Sequence, residues 1–382
     1  MNPGLTYCNN AASTWPKPSE VLDAVQESFQ LPYFEAGRST IKGLEDYPEL
    51  AREALADLFH FDVPDHIVFT QNATDSLNML IHGFCAATRD RFHVITSDLE
   101  HNSVLRPLTL LAYEGKITLS IIPSDKGYIT VKGVEDALVP ETHLAVLSHG
   151  SNVLGTRQDI GGIGEVLYDH GVYFIADGAQ TAGLVPIDLN QTPVDAFVFT
   201  GHKYLFGLPG IGGFLIKDPS RITPVRQGGT GVDSGNLAHP VDMPAKFEAG
   251  THNYPGIVSL WAGSRYISRQ GVHNVLQKCQ ELTSLILHEC AGNDHITLDN
   301  PDPDLPVISL SLDSLDCEDV GYILLKKYRI IVRTGLHCAP LIHQKMNGGG
   351  GTVRISLSSM NTPEECKYVS QAIREVADHA HP

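Results

Sequence analysis

Apolar and polar positions along the first two-thirds of the chain change period again and again. Short apolar runs stand out as HIVFT (66–70), FHVIT (92–96), HLAVLS (143–148), VYFIA (172–176), AFVFT (196–200) and GGFLI (212–216). Between them the spacing is helical: Val21, Leu22, Val25 and Phe29 recur on one face, as do Leu50, Leu55, Leu58 and Phe59. Strands that alternate with helices predict an α/β fold, a largely parallel sheet covered on both faces. In such sheets functional residues gather just beyond the C-terminal ends of the strands.

The pattern changes near residue 258. Amphipathic stretches at 257–270 and 272–290 predict long helices. They lead into VISLSL, a helix near 317–327, IIVRTG, TVRISLS and a closing helix from Pro363. This is an α+β pattern, and it predicts a large domain over 15–260. A small α+β domain is predicted from 261–382 together with 1–14, whose residues pack against the second part or the cleft.

Composition narrows the possible partners. The 382 residues carry a formal net charge of −17. An acidic surface repels phosphate backbones, so a nucleic-acid partner is not expected. The N-terminus has no basic and apolar leader, and no apolar run is long enough to span a membrane. The seven cysteines have irregular spacing, which predicts reduced thiols and a cytoplasmic protein without structural disulfides. They form no metal-ligand pattern, and no H-E-x-x-H motif occurs. No metal is expected.

Candidate chemistry follows the strands. In GHKYLFGLPGIGG (201–213), Lys203 comes directly after AFVFT in a glycine-rich loop. A lone lysine at a strand end is usually a solvated residue. Here Thr200 and His202 offer donors to an anion, and an amine beside a bound phosphate suits Schiff-base chemistry with an aldehyde cofactor. Asp177 ends the strand in IADGAQTAG; it is either a helix cap or a partner for a protonated pyridine nitrogen. Ala179 is small enough to let a flat ring lie against the backbone, and Gln180 could reach a ring hydroxyl. In FTQNATDSLN a helix begins near Thr74, so the amides of Ala73 and Thr74 form either an ordinary capped start or a phosphate site. His101 follows FHVIT, and Asn152 follows HLAVLS. A histidine there is suited to stack on a planar cofactor and to handle protons.

Together these motifs, each after a strand and in this order, resemble fold-type I pyridoxal-phosphate enzymes of the class V aminotransferase and cysteine desulfurase family. The resemblance runs from NNAAST (9–14) to SLSSMNT (356–362). It implies a mostly parallel seven-stranded sheet in a large domain, a small domain and a homodimer. It implies that Lys203 carries pyridoxal 5'-phosphate, that Asp177 faces the ring nitrogen and that His101 stacks on the ring. It places Gln180 and Asn152 near the ring hydroxyl and substrate, and gives the phosphate to Ala73, Thr74, Thr200 and His202. Thr251, in FEAGTHN, would reach the phosphate of the neighbouring protomer's cofactor.

The reaction is read from the C-terminal segment. IIVRTGLHCAPL (330–341) resembles the RTG-x-H-C-A motif of group II, Suf-type, cysteine desulfurases and selenocysteine-lyase-like relatives. That likeness makes Cys338 the residue that takes sulfur. A thiolate must attack the substrate sulfur while the cofactor stabilises the carbon left behind. Arg333 and His337 flank Cys338 and are expected to favour its thiolate; the plain alternative is a small buried hydrophobe. Arg354, in TVRISLS, stands where the family binds the substrate carboxylate, for which a planar guanidinium is suited.

The implied function is conversion of L-cysteine to L-alanine with sulfur passed to Cys338, and onward to a sulfur-acceptor protein. The alternatives are a selenocysteine lyase, a C–S lyase for another sulfur amino acid, and a non-catalytic regulatory or sulfur-carrier binding module. The chain departs from the family at Asn9, at Leu336, at the Gly348–Gly351 tract and at Asn72, where glycine is frequent. Asparagine tolerates the left-handed backbone, so the turn at Asn72 is expected to survive.

Overall fold

The computed structural model describes residues 4–30, 45–232 and 234–380. The chain opens with β1 (Thr6–Tyr7), α1 (Ser19–Ser28) and α2 (Tyr47–Phe59). There follow β2 (Ile67–Thr70), α3 (Ala73–Ala87), β3 (Phe92–Ser97), α4 (Asn102–Tyr113), β4 (Ile117–Ile122) and α5 (Val131–Ala137). Next come β5 (Thr142–Ser148), α6 (Ile160–Asp169), β6 (Tyr173–Asp177), β7 (Ala196–Thr200) and β8 (Gly212–Ile216). After α7 (Tyr254–Gln270) and α8 (Val272–Cys290) the pattern changes to β9 (Ile296–Leu298), β10 (Val307–Leu312), α9 (Cys317–Tyr328), β11 (Ile330–Ile331) and β12 (Arg333–Gly335). α10 (Pro340–Asn347), β13 (Thr352–Ser356) and α11 (Pro363–His379) close the chain.

Seven strands form one sheet in the order β2-β8-β7-β6-β5-β3-β4. β4, β3, β5, β6 and β7 run parallel; β8 runs antiparallel to both β7 and β2. Strands β2, β3, β5, β6, β7 and β8 are buried almost throughout, as strands of a sheet covered on both faces must be. Their two faces feed two separate apolar clusters. One packs Phe59, Phe174, Phe197 and Phe199 against α2 and α7; the other packs Leu77, Leu80 and Phe84 of α3 under Val94, Val146 and Tyr173. α3 is capped by Asn72, whose side chain accepts the Asp75 amide at 3.0 Å.

A second, four-stranded antiparallel sheet has the order β12-β13-β10-β9 and its own core, which includes Leu282, Ile308, Ile355 and Ile373. The N-terminal segment joins it: β1 pairs in parallel with β11, and Asn9 bridges to Ser356. Ala11 and Ala12 then turn into the cleft above the large sheet. Among the described residues, no helix is long and apolar enough to cross a membrane, and no group of metal-ligating side chains forms. All seven cysteines are free.

Candidate active site

The parallel strands all end on one side of the sheet, and a cavity of about 310 Å³ lies there. Ala73, Thr74, His101, Asn152, Asp177, Gln180, Thr200, His202, Lys203 and Arg354, ten residues scattered over the sequence, all line it. Parallel pairing brings this about, because each crossover returns the chain so that strand ends lie side by side. Ala11, Ala12, Ser103, Ser148 and Arg333 also line the cavity.

Asp177 ends β6 and is buried, with its carboxylate accepting the Ala179 amide at 2.9 Å. Burial raises its pKa; that amide and the nearby Lys203 work the other way and favour the anion. The Lys203 amine shares the opposite fate. Burial lowers its pKa to about 8, with Asp177 opposing and Arg354 and Arg333 adding to the fall. A fraction of neutral amine is therefore available near neutral pH, which nucleophilic and base chemistry both require.

His101 caps α4. Its Nδ1 accepts the Ser103 amide at 3.1 Å, and Ser103 Oγ lies 2.8 Å from the same nitrogen. Burial, followed by the positive charges of Lys203, Arg333 and Arg354, lowers its pKa to about 4. The ring is thus neutral at physiological pH, and with Nδ1 accepting, the proton sits on Nε2.

Arg354 is among the most deeply buried side chains of the molecule. It donates through Nη1 to the Asn152 carbonyl at 3.0 Å and through Nη2 to Asn9 Oδ1 at 3.3 Å. Burial, then repulsion from Arg333, lowers its pKa to about 10. Arg333 sits opposite it in the β12–β13 register. Neither arginine is paired with a carboxylate among the described residues, so Arg333 and Arg354 bring positive charge to the cavity that the Asp177 carboxylate does not pair.

Cys338 does not line the floor. It stands at the rim on the turn after β12, where Arg333 Nη2 lies 3.2 Å from its Sγ. The turn is strained: His337 and Cys338 have φ of 50° and 62°. A non-glycine residue there costs roughly 1–2 kcal/mol. Two hydrogen bonds from the large sheet's loops hold it, from the Asn102 amide to the Cys338 carbonyl and from Asn152 Nδ2 to the His337 carbonyl, both 2.7 Å. Lys345 of α10 adds an ion pair to Asp98 at 2.9 Å.

Two expectations change. His337 does not supply charge to Cys338: its Nε2 bonds Thr352 Oγ1 at 3.0 Å, and burial lowers its pKa to about 2. Arg333 alone has that place. Asn72 needs no left-handed backbone, since its φ is −177°, extended, and its work is to cap α3. Thr251, expected to serve a neighbouring protomer, is exposed and does not line the cavity of its own chain. Its loop is tied down by Glu248, which accepts from Arg52 Nη2 at 2.6 Å and from the Phe69 amide at 2.7 Å.

The cavity fits pyridoxal phosphate on an observation of its own. Gln180 Oε1, Thr200 Oγ1, His202 Nδ1 and Arg354 Nε are buried without a hydrogen-bond partner among the described residues. Each such atom costs about 1–3 kcal/mol when left unsatisfied. All four residues line this one cavity, beside an aspartate and an amine. A ligand with a phosphate, a ring hydroxyl and a basic ring nitrogen would satisfy the first three and face Asp177, and the carboxylate of an amino-acid substrate would satisfy Arg354.

Comparison with known proteins agrees. A family model described as aminotransferase class-V matches residues 6–369. A probable cysteine desulfurase of Methanothermobacter thermautotrophicus is 31% identical over 381 residues, covering 96% of this chain and 94% of the relative. A cysteine desulfurase of Escherichia coli is 31% identical, covering 97% and 93%. The apo structure of a cysteine desulfurase from Thermococcus onnurineus superposes with a TM-score of 0.87 at 28% identity, covering 98% of this chain and 95% of that one.

Proposed function

Because this chain belongs to the aminotransferase class-V family, we propose that it is a pyridoxal-phosphate-dependent cysteine desulfurase that converts L-cysteine to L-alanine and takes the sulfur on Cys338. The observation that carries this reading is the meeting of Lys203, Asp177 and Arg354 in one cavity with Cys338 and Arg333 at its rim.

The family works with pyridoxal phosphate. Lys203 would hold it, Asp177 would face its ring nitrogen and His101 its ring. Gln180 would reach the ring hydroxyl, and Thr200, His202 and the Ala73 and Thr74 amides its phosphate. Bound there, the cofactor supplies an electron sink for the substrate's Cα. Arg354 binds the substrate carboxylate, and Asn152 holds both that arginine and the Cys338 turn. The Lys203 amine takes the Cα proton. Cys338 Sγ, as thiolate beside Arg333, forms a bond to the substrate sulfur. The C–S bond breaks, its electron pair stays with the carbon skeleton, and the sulfur remains on Cys338 as a persulfide. Lys203, which has taken the Cα proton, is the acid that can return it to the three-carbon product, and the neutral His101 ring can assist by hydrogen bonding.

We also propose that residues 15–260 form the large domain and 1–14 with 261–382 the small one. The seven-stranded sheet between 67 and 216 and the β1–β11 pairing support that division. The enzyme acts in the cytoplasm as a homodimer and passes its sulfur to an acceptor protein; the exposed Thr251 supports the dimer. One assay tests the reaction: holoenzyme with cysteine, selenocysteine and cystine, reading alanine and pyruvate. Alanine and sulfide from cysteine support the proposal. Alanine from selenocysteine alone makes it a selenocysteine lyase, and pyruvate makes it a C–S lyase by elimination.

A further inference from the structure

Among the described residues two glutamates are buried, Glu100 and Glu248, and their surroundings differ in kind. Glu248 meets the Arg52 guanidinium at 2.6 Å and His252 Nε2 at 3.1 Å; these favour its anion, and its pKa is lowered despite burial. Glu100 precedes His101 and is 0% exposed. Its Oε1 accepts from Ser97 Oγ at 2.6 Å and from the Ser148 amide at 3.0 Å, and its Oε2 lies 2.7 Å from Ser148 Oγ. Every one of these partners is neutral. The charge that bears on Glu100 is negative, that of Asp177 on β6. On the neighbouring segments, His149 turns its Nδ1 to Thr181, Asp98 pairs with Lys345 of α10, and the His101 ring is neutral.

An isolated buried carboxylate is far costlier than a buried acid, and a second anion beside Asp177 raises the cost. The three contacts suit the acid: a carbonyl oxygen with two donors, and a hydroxyl oxygen facing one acceptor. Ser148 is the link to the site, because it lines the cavity and pairs with Asp177 in the β5–β6 register.

We propose that Glu100 is a positioning residue that works as a neutral acid: it donates its proton to Ser148 Oγ and so frees the Ser148 hydroxyl proton for an acceptor in the cavity beside Asp177. The inference rests on the cavity being the cofactor site. Its consequence is a division of protons in which Glu100 holds one below about pH 7, while Lys203 and the Ala179 amide favour the anion of Asp177. Burial moves the Glu100 pKa up to about 7. The sign follows: its contribution to stability is complete below the ordinary carboxyl range and is lost as pH rises through about 7.

Infrared difference spectra of holoenzyme and Glu100→Gln test this, with glutamate carbon-labelled. Glutamine keeps both an acceptor and a donor. The wild type should show a protonated-carboxyl band in mildly acidic buffer that fades as pH passes about 7 and is missing from Glu100→Gln. Glu100→Gln should keep its cofactor, stay within about 2-fold of wild-type desulfuration in that buffer, and melt higher than wild type in alkaline buffer. Ser148→Ala, which removes the acceptor, should shift the band to higher frequency. A missing wild-type band, or a band unmoved in Ser148→Ala, overturns the proposal. So does a folded, cofactor-loaded Glu100→Gln whose desulfuration falls about 10-fold or more. A wild type that shows the band but releases no alanine from cysteine supports this inference and contradicts the desulfurase function instead.

Discussion

The floor of the cavity and its rim are built on different principles. Asp177, Ser148 and Thr200 stand at the very ends of buried strands, and Lys203 follows three residues after β7. Their positions are set by a seven-stranded ladder and two apolar clusters. Cys338 stands on a turn of two consecutive left-handed residues held by backbone hydrogen bonds and one part-exposed ion pair. Cofactor chemistry needs fixed dipoles and charges, which strand ends supply. A thiol that must reach a substrate and then present sulfur to an acceptor is better carried on a segment that opens at low cost. The difference teaches that damage to the two regions should separate cleanly: floor lesions remove the cofactor, rim lesions leave it and remove the sulfur step.

The largest effect tests the floor. Lys203→Ala should abolish the visible absorption of bound cofactor and lower desulfuration by about 10³-fold or more. A variant that keeps the colour and the rate would break the comparison at its base. Next comes Arg333→Met at the rim, expected to leave the cofactor spectrum unchanged and lower desulfuration by about 10-fold, mainly in kcat. An altered cofactor spectrum would show that Arg333 belongs to the floor.

Lys345→Met sharpens the same contrast. The Lys345 side chain is 43% exposed, and a pair of that kind contributes up to about 1 kcal/mol. Global stability should fall by no more than that, while hydrogen exchange at 336–340 should quicken. Unchanged exchange there would mean the two 2.7 Å hydrogen bonds hold the turn without help. The smallest effect is expected at Thr251→Ala, a loss of about 1 kcal/mol in cofactor affinity, seen only in dimer. An equal loss in a monomeric variant would place Thr251 in its own protomer's site.

Much of the floor was legible in the sequence because its residues follow strands that can be read from apolar runs. AFVFT is β7 residue for residue, GGFLI is β8, and FHVIT falls within β3. β4 was missed: ITLSII lies at the sheet edge with mixed exposure, so it lacks an unbroken apolar run. The reversed direction of β8 has no local signature either, since buried strands look alike in both senses. At the site, Lys203, Asp177 and His101 carry motifs around them. Glu100 and Ser148 do not; their meaning lies in a contact across 48 residues. The His337 expectation failed for the same reason, because adjacency in sequence does not tell which way a ring turns, and here it turns to Thr352.

The central claim is that sulfur leaves cysteine by way of Cys338. Intact-protein and peptide mass spectrometry after one turnover with cysteine, compared with Cys338→Ser, tests it most directly. The account predicts one added sulfur atom on Cys338, with equivalent alanine. It also predicts an unchanged cofactor spectrum in Cys338→Ser, with desulfuration lowered about 10²-fold or more. Alanine formed at the wild-type rate by Cys338→Ser, or sulfur found on another cysteine, would contradict it.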